Sequence, residues 1–422
     1  MWSVVSYTGR ISLTLLAATQ ISASAASIAE YVIHVSVDGL RPDAITALGP
    51  ANAPNFYRLK AEGASTDNAR SDYDLTITLP NHTTQLTGRG VLGEAGHGWT
   101  TNVDPAPGVT LASNKGAYIA GVFDVAHDHG LRTGGYVSKT KFSLFATSWN
   151  GQHGAPDRTG IDNGQNKIDM FVIDEDTEAL VNRLVADQST QPMNYVFLHL
   201  GDPDFWGHIT GWDPTPGSAY SDAVRDMDRR LGTLLNLVTT NPRLAGKTAL
   251  VVTADHGGSG LDHSDATLPE DYTIPFYVWG PGVMAGSPLY LLNPANRLIP
   301  WMSRPPYSDP IQPIRNGEAG NVALKLLGLP AIPGSTIGNA QDLALTVEVP
   351  DDLCRLTIGD APALVFSTKP YVLYDVQARN NFLAGEWTDV ATNIVGTGGV
   401  VTNFDFAATG VQQRCYRVRL HF

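Results

Sequence analysis

The chain has 422 residues, of which 43% are hydrophobic and 16% charged, with 28 basic and 41 acidic side chains and a net charge of -13. This composition is typical of a globular protein with a large core and excludes a disordered chain. The acidic balance argues against general nucleic-acid or duplex binding, which needs clustered Lys and Arg. It does not exclude an anionic substrate, because bound metal ions can make a pocket locally positive.

The N-terminus has the layout of an export signal. Arg10 precedes an apolar stretch at residues 11–18, and small residues follow, with a cleavage site after Ala25. We therefore predict a signal peptide at residues 1–25 and a secreted or periplasmic protein, the alternative being a misassigned N-terminus. No later segment holds 18 uninterrupted apolar residues, so no transmembrane span is expected.

The next part of the chain alternates strand and helix patterns. Short apolar runs predict strands at residues 31–37, 195–200, 249–253 and 274–279. Apolar residues at helical spacing predict helices at residues 177–187 and 221–238. Residues 26–346 are therefore predicted to form an α/β domain, a three-layer αβα sandwich with a mostly parallel central sheet. Ligands bind at the carboxyl ends of such strands, so residues that follow the strands are the candidates for a site.

The C-terminal part has a different pattern. Strand-like runs at residues 363–366, 371–376 and 416–420, without helical periodicity, predict a small all-β, sandwich-like module over residues 347–422. It loosely resembles β modules appended to secreted bacterial enzymes, which implies surface attachment at most. Cys354 and Cys415 are the only cysteines; they could pair in an oxidising compartment or remain free thiols.

The first two candidate residues are ambiguous when each is considered alone. Asp38 follows the first strand, where a carboxylate can bind a cation, but an Asp-Gly pair is also a common turn former. Thr78 lies two residues before Pro80, a position suited to the first turn of a helix. Its hydroxyl would meet the positive end of the helix dipole, which favours an alkoxide and a bound phosphate, or it would simply cap the helix.

Two later segments are rich in metal-ligand types. Asp204 and His208 are four residues apart after the second strand, a spacing that lets both reach one metal. Asp255 and His256 end a strongly apolar strand, and His263 follows seven residues later. An unpaired Asp-His pair at a buried strand end would be costly, so a metal is favoured over an exposed polar turn.

Together these segments supply three Asp and three His residues. Two divalent ions with three protein ligands each would keep positions open for a nucleophile and substrate oxygens. Zinc is the expected metal, although manganese or iron can occupy mixed oxygen and nitrogen sites. The six predicted ligands are Asp38, Asp204, His208, Asp255, His256 and His263.

Over residues 30–285 the chain resembles the alkaline-phosphatase superfamily, and most of all its type I phosphodiesterase/nucleotide pyrophosphatase branch. The motifs "VSVDGLRPD", "TLPNHTTQLTG", "HGWTTN", "DPDFWGH" and "TADHGG" followed by a His occur in the same order. The resemblance implies that Asp38, Asp255 and His256 hold one zinc ion, which the nucleophile Thr78 also contacts. It further implies that Asn102 hydrogen-bonds a phosphoryl oxygen.

The second zinc site departs from the pattern of many members. The resemblance implies that Asp204 and His208 bind this ion with a further His, which in many nucleotide pyrophosphatases lies far downstream. Here only His421 follows His263, so His263 is the candidate, a spacing more similar to phosphonoacetate hydrolases. Type I sulfatases use a Cys or Ser converted to formylglycine, which Thr78 cannot become.

The resemblance implies a metal-dependent hydrolase of small phosphorylated molecules, of the phosphodiesterase/nucleotide pyrophosphatase type, that forms a phospho-threonine intermediate. Residues 110–176, which include Lys139 and Lys141, are expected to set leaving-group specificity. A phosphonate hydrolase and a phosphomonoesterase remain alternatives. A metal-binding surface protein without turnover is an alternative of another class.

Overall fold

The computed structural model describes residues 27–157, 159 and 164–346, and in the C-terminal region residues 355–357, 363–368, 372–380, 386–408 and 414–421. The predicted signal peptide and Cys354 lie outside the described residues, as does the side chain of Cys415. The signal peptide and the pairing of the two cysteines therefore stay predictions.

One large sheet forms the centre of the main α/β region. Its strands are β1 Tyr31–Val37, β2 Ala64–Arg70, β3 Thr133–Val137, β4 Met170–Ile173, β5 Tyr195–Leu200, β6 Thr248–Thr253, β7 Thr273–Trp279 and β8 Ser287–Pro288. They lie in the order β4-β3-β5-β1-β6-β7-β2-β8. Every neighbouring pair is parallel except the two pairs that include β7. The predicted mostly parallel sheet is confirmed.

Helices cover both faces of this sheet and complete the three-layer sandwich. They are α1 Pro42–Asn52, α2 Pro54–Glu62, α3 Thr78–Thr87, α4 Leu111–Lys115, α5 Val122–Asp128, α6 Ser143–Ser148, α7 Thr177–Thr190, α8 Asp202–Thr210, α9 Ala219–Thr240, α10 Pro269–Tyr272, α11 Leu289–Leu292 and α12 Ala319–Leu326. Short 3-10 turns occur at Thr140–Phe142, Asn316–Glu318 and Phe406–Ala408. Helices α1, α2 and α7 pack with α9, whereas α3 and α5 pack with α12. No helix among the described residues is long and apolar enough to cross a membrane.

Several elements with strong local patterns are predicted from the sequence, although the apolar β4 and the helix α12 are not. β1 and β5 have the predicted bounds, and α7 and α9 contain the predicted helices. The polar β2 and the glycine-containing β3 have no such pattern. In β3, a Cβ on Gly135 would lie 2.6 Å from the ring of Phe171, so the close packing against β4 requires glycine there.

The C-terminal region forms two small antiparallel sheets. Its strands are β9 Arg355–Thr357, β10 Ala363–Ser367, β11 Leu373–Arg379, β12 Thr388–Val395, β13 Val400–Phe404 and β14 Cys415–His421. The sheet orders are β13-β10-β9 and β12-β11-β14. An apolar cluster separate from the main core includes Phe366, Tyr374 and Val376. This confirms a small all-β part, while the boundary at residues 346 and 347 stays a prediction.

Candidate metal centre

Three neighbouring parallel strands bring the candidate ligands to one edge of the sheet. β1 lies between β5 and β6, with Val37 opposite Leu200 and Ser36 opposite Thr253. The three strands therefore end almost level with one another. Asp38 follows β1, the first turn of α8 follows β5, and the Asp255–His256 pair follows β6 one residue after its end.

Two sets of three ligand groups form at this edge. Asp38, Asp255 and His256 form one set, and Asp204, His256 and His263 form the other; in each set the ligand atoms lie within 4.8 Å of one another. His256 Nε2 is 3.5 Å from Asp38 Oδ1 and 3.0 Å from Asp255 Oδ2. His263 Nε2 is 3.6 Å from Asp204 Oδ1. These side chains are all buried.

Three carboxylate oxygens in the two sets have no hydrogen-bond partner within the described part of the chain. They are Asp38 Oδ1, Asp204 Oδ1 and Asp255 Oδ2, and each is buried. An unpaired buried carboxylate oxygen is costly, and carboxylates that converge also repel one another. Divalent cations satisfy both conditions, and this mixture of oxygen and nitrogen donors suits zinc, manganese or iron. The residues therefore fit a metal site.

Lys139 lies between two of the carboxylates. Its Nζ is 2.5 Å from Asp38 Oδ2 and 2.6 Å from Asp204 Oδ2. Burial alone would lower the pKa of Lys139, but the two carboxylates raise it above its ordinary value. Burial alone would raise the pKa of Asp38, but the Lys139 ammonium and the hydrogen bond from His199 hold it well below its ordinary value.

The pKa of Asp255 shifts in the opposite direction from that of Asp38. Burial, followed by repulsion from Asp38 and Asp204, raises the pKa of Asp255 well above its ordinary value. The Lys139 ammonium, which pairs with Asp38 and Asp204, does not offset this effect on Asp255. A site with this demand for positive charge attracts cations.

Thr78 is the first residue of α3, as the position of Pro80 predicts. The N-cap residue is Ile77, and no side chain caps the helix, so the Thr78 hydroxyl does not act as the cap. Instead, Thr78 Oγ1 lies 3.4 Å from His256 Nε2. The hydroxyl therefore faces the candidate ligands from the positive end of the helix.

Asn102 lies beside the same helix N-terminus. Its Oδ1 accepts hydrogen bonds from the backbone N–H of Leu79 at 2.9 Å and from Lys141 Nζ at 3.2 Å. Burial and the nearby Lys139 ammonium lower the pKa of Lys141. Asn102 and Lys141 thus bring polar donors close to Thr78.

His208 lies at the rim of the centre. It follows Asp204 by one turn of α8, its Nε2 is 3.5 Å from Asp204 Oδ1, and its side chain is 44% exposed. Its Nδ1 lies 3.0 Å from the carbonyl oxygen of Leu261. In the structure, Asp204 forms a compact set with His256 and His263, and His208 lies next to this set. The sequence prediction instead groups Asp204 with His208 and His263 and assigns His256 to the other ion.

His199 supports Asp38 and has no role in the sequence prediction. Its Nε2 lies 3.0 Å from Asp38 Oδ2, and the backbone N–H of Ser138 donates to its Nδ1 at 3.3 Å. Because Nδ1 accepts this bond, Nε2 carries the proton and donates to the carboxylate. Burial lowers the pKa of His199, which favours this neutral form. The signal for His199 is a histidine inside the otherwise apolar strand "YVFLHL".

Trp212 holds three parts of the centre together. A Cβ on Gly207 in α8, or on Gly258 after β6, would lie 2.3 Å from its ring. Its Nε1 donates to the carbonyl oxygen of Gly39, beside Asp38, at 3.1 Å. The turn after β1, the helix α8 and the loop before His263 therefore pack on one indole.

Comparison with known proteins identifies the family. The model of the family "Type I phosphodiesterase / nucleotide pyrophosphatase" matches residues 32–285, more than half of the chain. GPI ethanolamine phosphate transferase 1 from Yarrowia lipolytica is 30% identical over 156 residues, which are 33% of this chain and only 16% of the relative.

Solved structures share the fold. Murine ectonucleotide pyrophosphatase/phosphodiesterase 5, solved as an inactive variant in complex with AMP, aligns at 17% identity over 74% of this chain and 99% of its own, with a TM-score of 0.50. The human protein of the same name aligns at 16% identity over 75% of this chain and 100% of its own, also with a TM-score of 0.50. The chain therefore belongs to the type I phosphodiesterase/nucleotide pyrophosphatase family of phosphoric ester hydrolases.

Proposed function

We propose that the protein hydrolyses phosphodiesters by a two-step displacement at Thr78, in a centre that binds two divalent cations, most simply zinc. The observation that carries this proposal is the position of the Thr78 hydroxyl. It lies 3.4 Å from His256 Nε2, at the N-terminus of α3, beside three buried carboxylate oxygens without donors.

Two groups of side chains would hold the cations. Asp38, Asp255 and His256 would hold the first, and Asp204 and His263, with His208 at the rim, the second. Bound cations lower the pKa of a nearby hydroxyl and stabilise negative charge on phosphoryl oxygens.

The chain's own residues would perform the remaining steps. Thr78 Oγ1 passes its proton to solvent and attacks phosphorus while the bond to the leaving oxygen breaks, which gives a phospho-threonine that still carries the second ester group of the diester. Water then attacks this intermediate, releases the phosphomonoester and regenerates Thr78. The Oδ1 of Asn102 accepts bonds from Leu79 and Lys141, which orients its Nδ2 as the donor for a phosphoryl oxygen.

The charge around Thr78 bears on the substrate. Asn102, a neutral donor, suits the single negative charge of a diester. The murine relative was solved with AMP, a monoester of the kind that hydrolysis of a nucleotide diester releases, which favours a nucleotide diester as substrate. Lys141 adds a cation beside Asn102, and this favours a second candidate, a phosphonate that carries a further anionic group. Residues 110–176, which contain Lys141, remain our candidate for the specificity segment.

The nucleophile is tested by replacing Thr78 on the zinc-loaded protein. We expect Thr78→Ala to lower kcat on a chromogenic phosphodiester by at least about 10³-fold. Mass spectrometry of acid-quenched wild-type enzyme should find on Thr78 a phosphoryl group that still carries the second ester group of the substrate. Near-wild-type turnover by Thr78→Ala would contradict the mechanism.

A substrate panel separates the other candidates. Nucleotide diesters, a phosphomonoester and phosphonoacetate are compared after metal reconstitution, and we expect the highest kcat/KM for a diester. Preference for phosphonoacetate would favour the phosphonate reaction. Zinc and manganese contents near zero, together with no turnover, would favour a surface protein without catalysis.

Export and domain organisation complete the proposal. A signal peptide at residues 1–25 would direct the protein to the periplasm or the medium, and residues 347–422 would form a β module able to attach to a surface. The N-terminal sequence of the mature protein tests the first point, because we expect it to begin at residue 26.

A further inference from the structure

Helix α8 carries exposed apolar side chains beside the metal centre. Phe205, Trp206 and Ile209 are 55%, 38% and 54% exposed. Leu261, which is 59% exposed, lies next to them, since its carbonyl oxygen is 3.0 Å from His208 Nδ1. We call these four residues the α8 patch.

The α8 patch is continuous with the candidate ligands. Asp204 directly precedes Phe205, and His208 directly precedes Ile209, in a helix of nine residues. At 100° per residue, Phe205 and Ile209 lie 60° and 100° around the helix axis from His208, on the adjoining face, whereas Trp206 lies 160° away, beyond Ile209. A group bound through its phosphorus at the centre can therefore reach the patch with its organic part.

Packing among the residues that the structure describes does not explain the patch. Single exposed apolar residues are common on protein surfaces, but several together next to a site indicate a binding surface. The aromatic rings of Phe205 and Trp206 contact each other edge to face, with centroids 5.4 Å apart. Such a surface offers apolar contact to a ligand at little entropic cost, because aromatic side chains have few rotatable bonds.

The charged side chains around the α8 patch indicate whether an apolar or an ionic group of a ligand fits there. The exposed charged side chains that follow Leu261 are acidic, Asp262 and Asp265. Of the lysines of the site, Lys139 is already paired with Asp38 and with Asp204 of α8, and Lys141 lies by Asn102. A polyphosphate chain would be repelled from the α8 side, whereas a neutral hydrocarbon group would not.

We propose that the α8 patch is a substrate subsite that receives an alkyl or aryl group esterified to the phosphorus. This inference rests on the proposed phosphodiesterase function and specifies its substrate class. The phosphoryl group is held at Thr78, and the hydrocarbon group lies over Phe205, Ile209 and Leu261.

The test uses the zinc-loaded full chain and two diesters with the same chromophore, methyl and octyl 4-nitrophenyl phosphate. Each methylene group that is removed from water strengthens binding roughly fourfold. If only part of the octyl chain contacts the patch, kcat/KM for the octyl ester should exceed that for the methyl ester by a factor on the order of ten. The double variant Phe205→Ser/Ile209→Ser should bring this ratio close to one. Val400→Ser, an equally exposed apolar position in the C-terminal sheets, should keep the wild-type ratio.

A binding measurement accompanies the kinetics. Calorimetry should give a Kd for octylphosphonate about tenfold lower than for methylphosphonate, and the double variant should remove this difference. Equal Kd values in the wild type, or a preference that the double variant retains, would overturn the subsite.

The outcomes separate the two proposals. A wild-type ratio near one with normal methyl-ester turnover would overturn the subsite and leave the phosphodiesterase function intact. No turnover of either ester would overturn the phosphodiesterase function and the subsite with it. A dimer in sedimentation velocity that the double variant dissociates, with an unchanged ratio, would assign the patch to a second copy of the chain and overturn the subsite.

Discussion

Charge balance governs the metal centre at the scale of single residues. Asp38, Asp204 and Asp255 converge, and Lys139 neutralises two of them at 2.5 and 2.6 Å. The third, Asp255, has a raised pKa because of its burial and the repulsion from the other two. Bound divalent cations would interact with the same carboxylates as the Lys139 ammonium, so metal binding would reduce the stabilisation that Lys139 provides.

Replacing Lys139 should therefore have an effect that depends on metal. We expect Lys139→Met to lower the free energy of unfolding by about 3 kcal/mol in chelator, because it removes the cation paired with two buried carboxylates and leaves Asp38 with the hydrogen bond from His199 alone. In excess zinc the loss should be smaller, since cations then supply the positive charge. Urea unfolding under both conditions measures the effect.

Lys60→Met is the matched control. Lys60 pairs with Asp67 at 2.5 Å, but both side chains are partly exposed, at 26% and 33%. Removing that pair should cost less than about 1 kcal/mol with or without zinc. An equal loss for both variants, or a Lys139→Met loss that zinc leaves unchanged, would contradict this account of the centre.

His199 affects metal binding through Asp38. Its Nε2 orients Asp38 Oδ2, so His199→Phe should weaken zinc binding about 10- to 100-fold, as measured by competition with a chromophoric chelator. His199→Gln retains a donor and should recover part of the affinity. If both variants bind zinc like the wild type, the hydrogen bond does not position Asp38.

At the scale of elements, close packing of glycine on tryptophan holds α8 to the loop after β6. Gly207 and Gly258 both pack against the ring of Trp212, and they pack so closely that a Cβ on either residue would clash with the ring. The same indole lies edge to face against His208, with centroids 4.9 Å apart. The position of α8, and with it that of Asp204, thus depends on three small or flat residues.

Gly207→Ala tests this packing. In a helix this change would ordinarily stabilise by about 1 kcal/mol. Here the added Cβ would lie 2.3 Å from the indole, and we expect a net loss of about 1–3 kcal/mol in the free energy of unfolding together with weaker zinc binding. Gly151→Ala, whose Cβ would meet nothing closer than 3.9 Å, is the control. A more stable Gly207→Ala variant would show that α8 does not pack this way.

At the scale of the whole molecule, the candidate site draws on one part of the chain. All of its residues lie between Asp38 and His263, within the eight-stranded sheet and its helices. The C-terminal sheets have their own apolar cluster. The candidate site and the C-terminal sheets are therefore each stabilised by a separate set of contacts.

Truncation after residue 346 tests this separation. We expect the shortened protein to keep kcat/KM on a phosphodiester within about threefold of the full chain, because no candidate ligand is removed. Circular dichroism and zinc content serve as controls for folding. A large loss of kcat in a folded, zinc-loaded truncation would show that the C-terminal region contributes to the site.

The sequence by itself determines the elements whose patterns are local. Apolar runs define β1 and β5 to the residue, helical periods define α7 and α9, and Pro80 indicates that Thr78 begins a helix. The ordered motifs also suffice to recognise the family. Polar or glycine-rich strands such as β2 and β3 cannot be predicted in this way, because they form strands only through pairing with their neighbours in the sheet.

Only the tertiary structure decides which groups meet in the site. His256 contributes to both ligand sets, His208 lies at the rim, and Lys139 and His199 reach Asp38 from 101 and 161 residues away along the chain. Such contacts follow from the order β3-β5-β1-β6 in the sheet. Strand order results from the packing of the whole chain, which no local spacing of residues encodes.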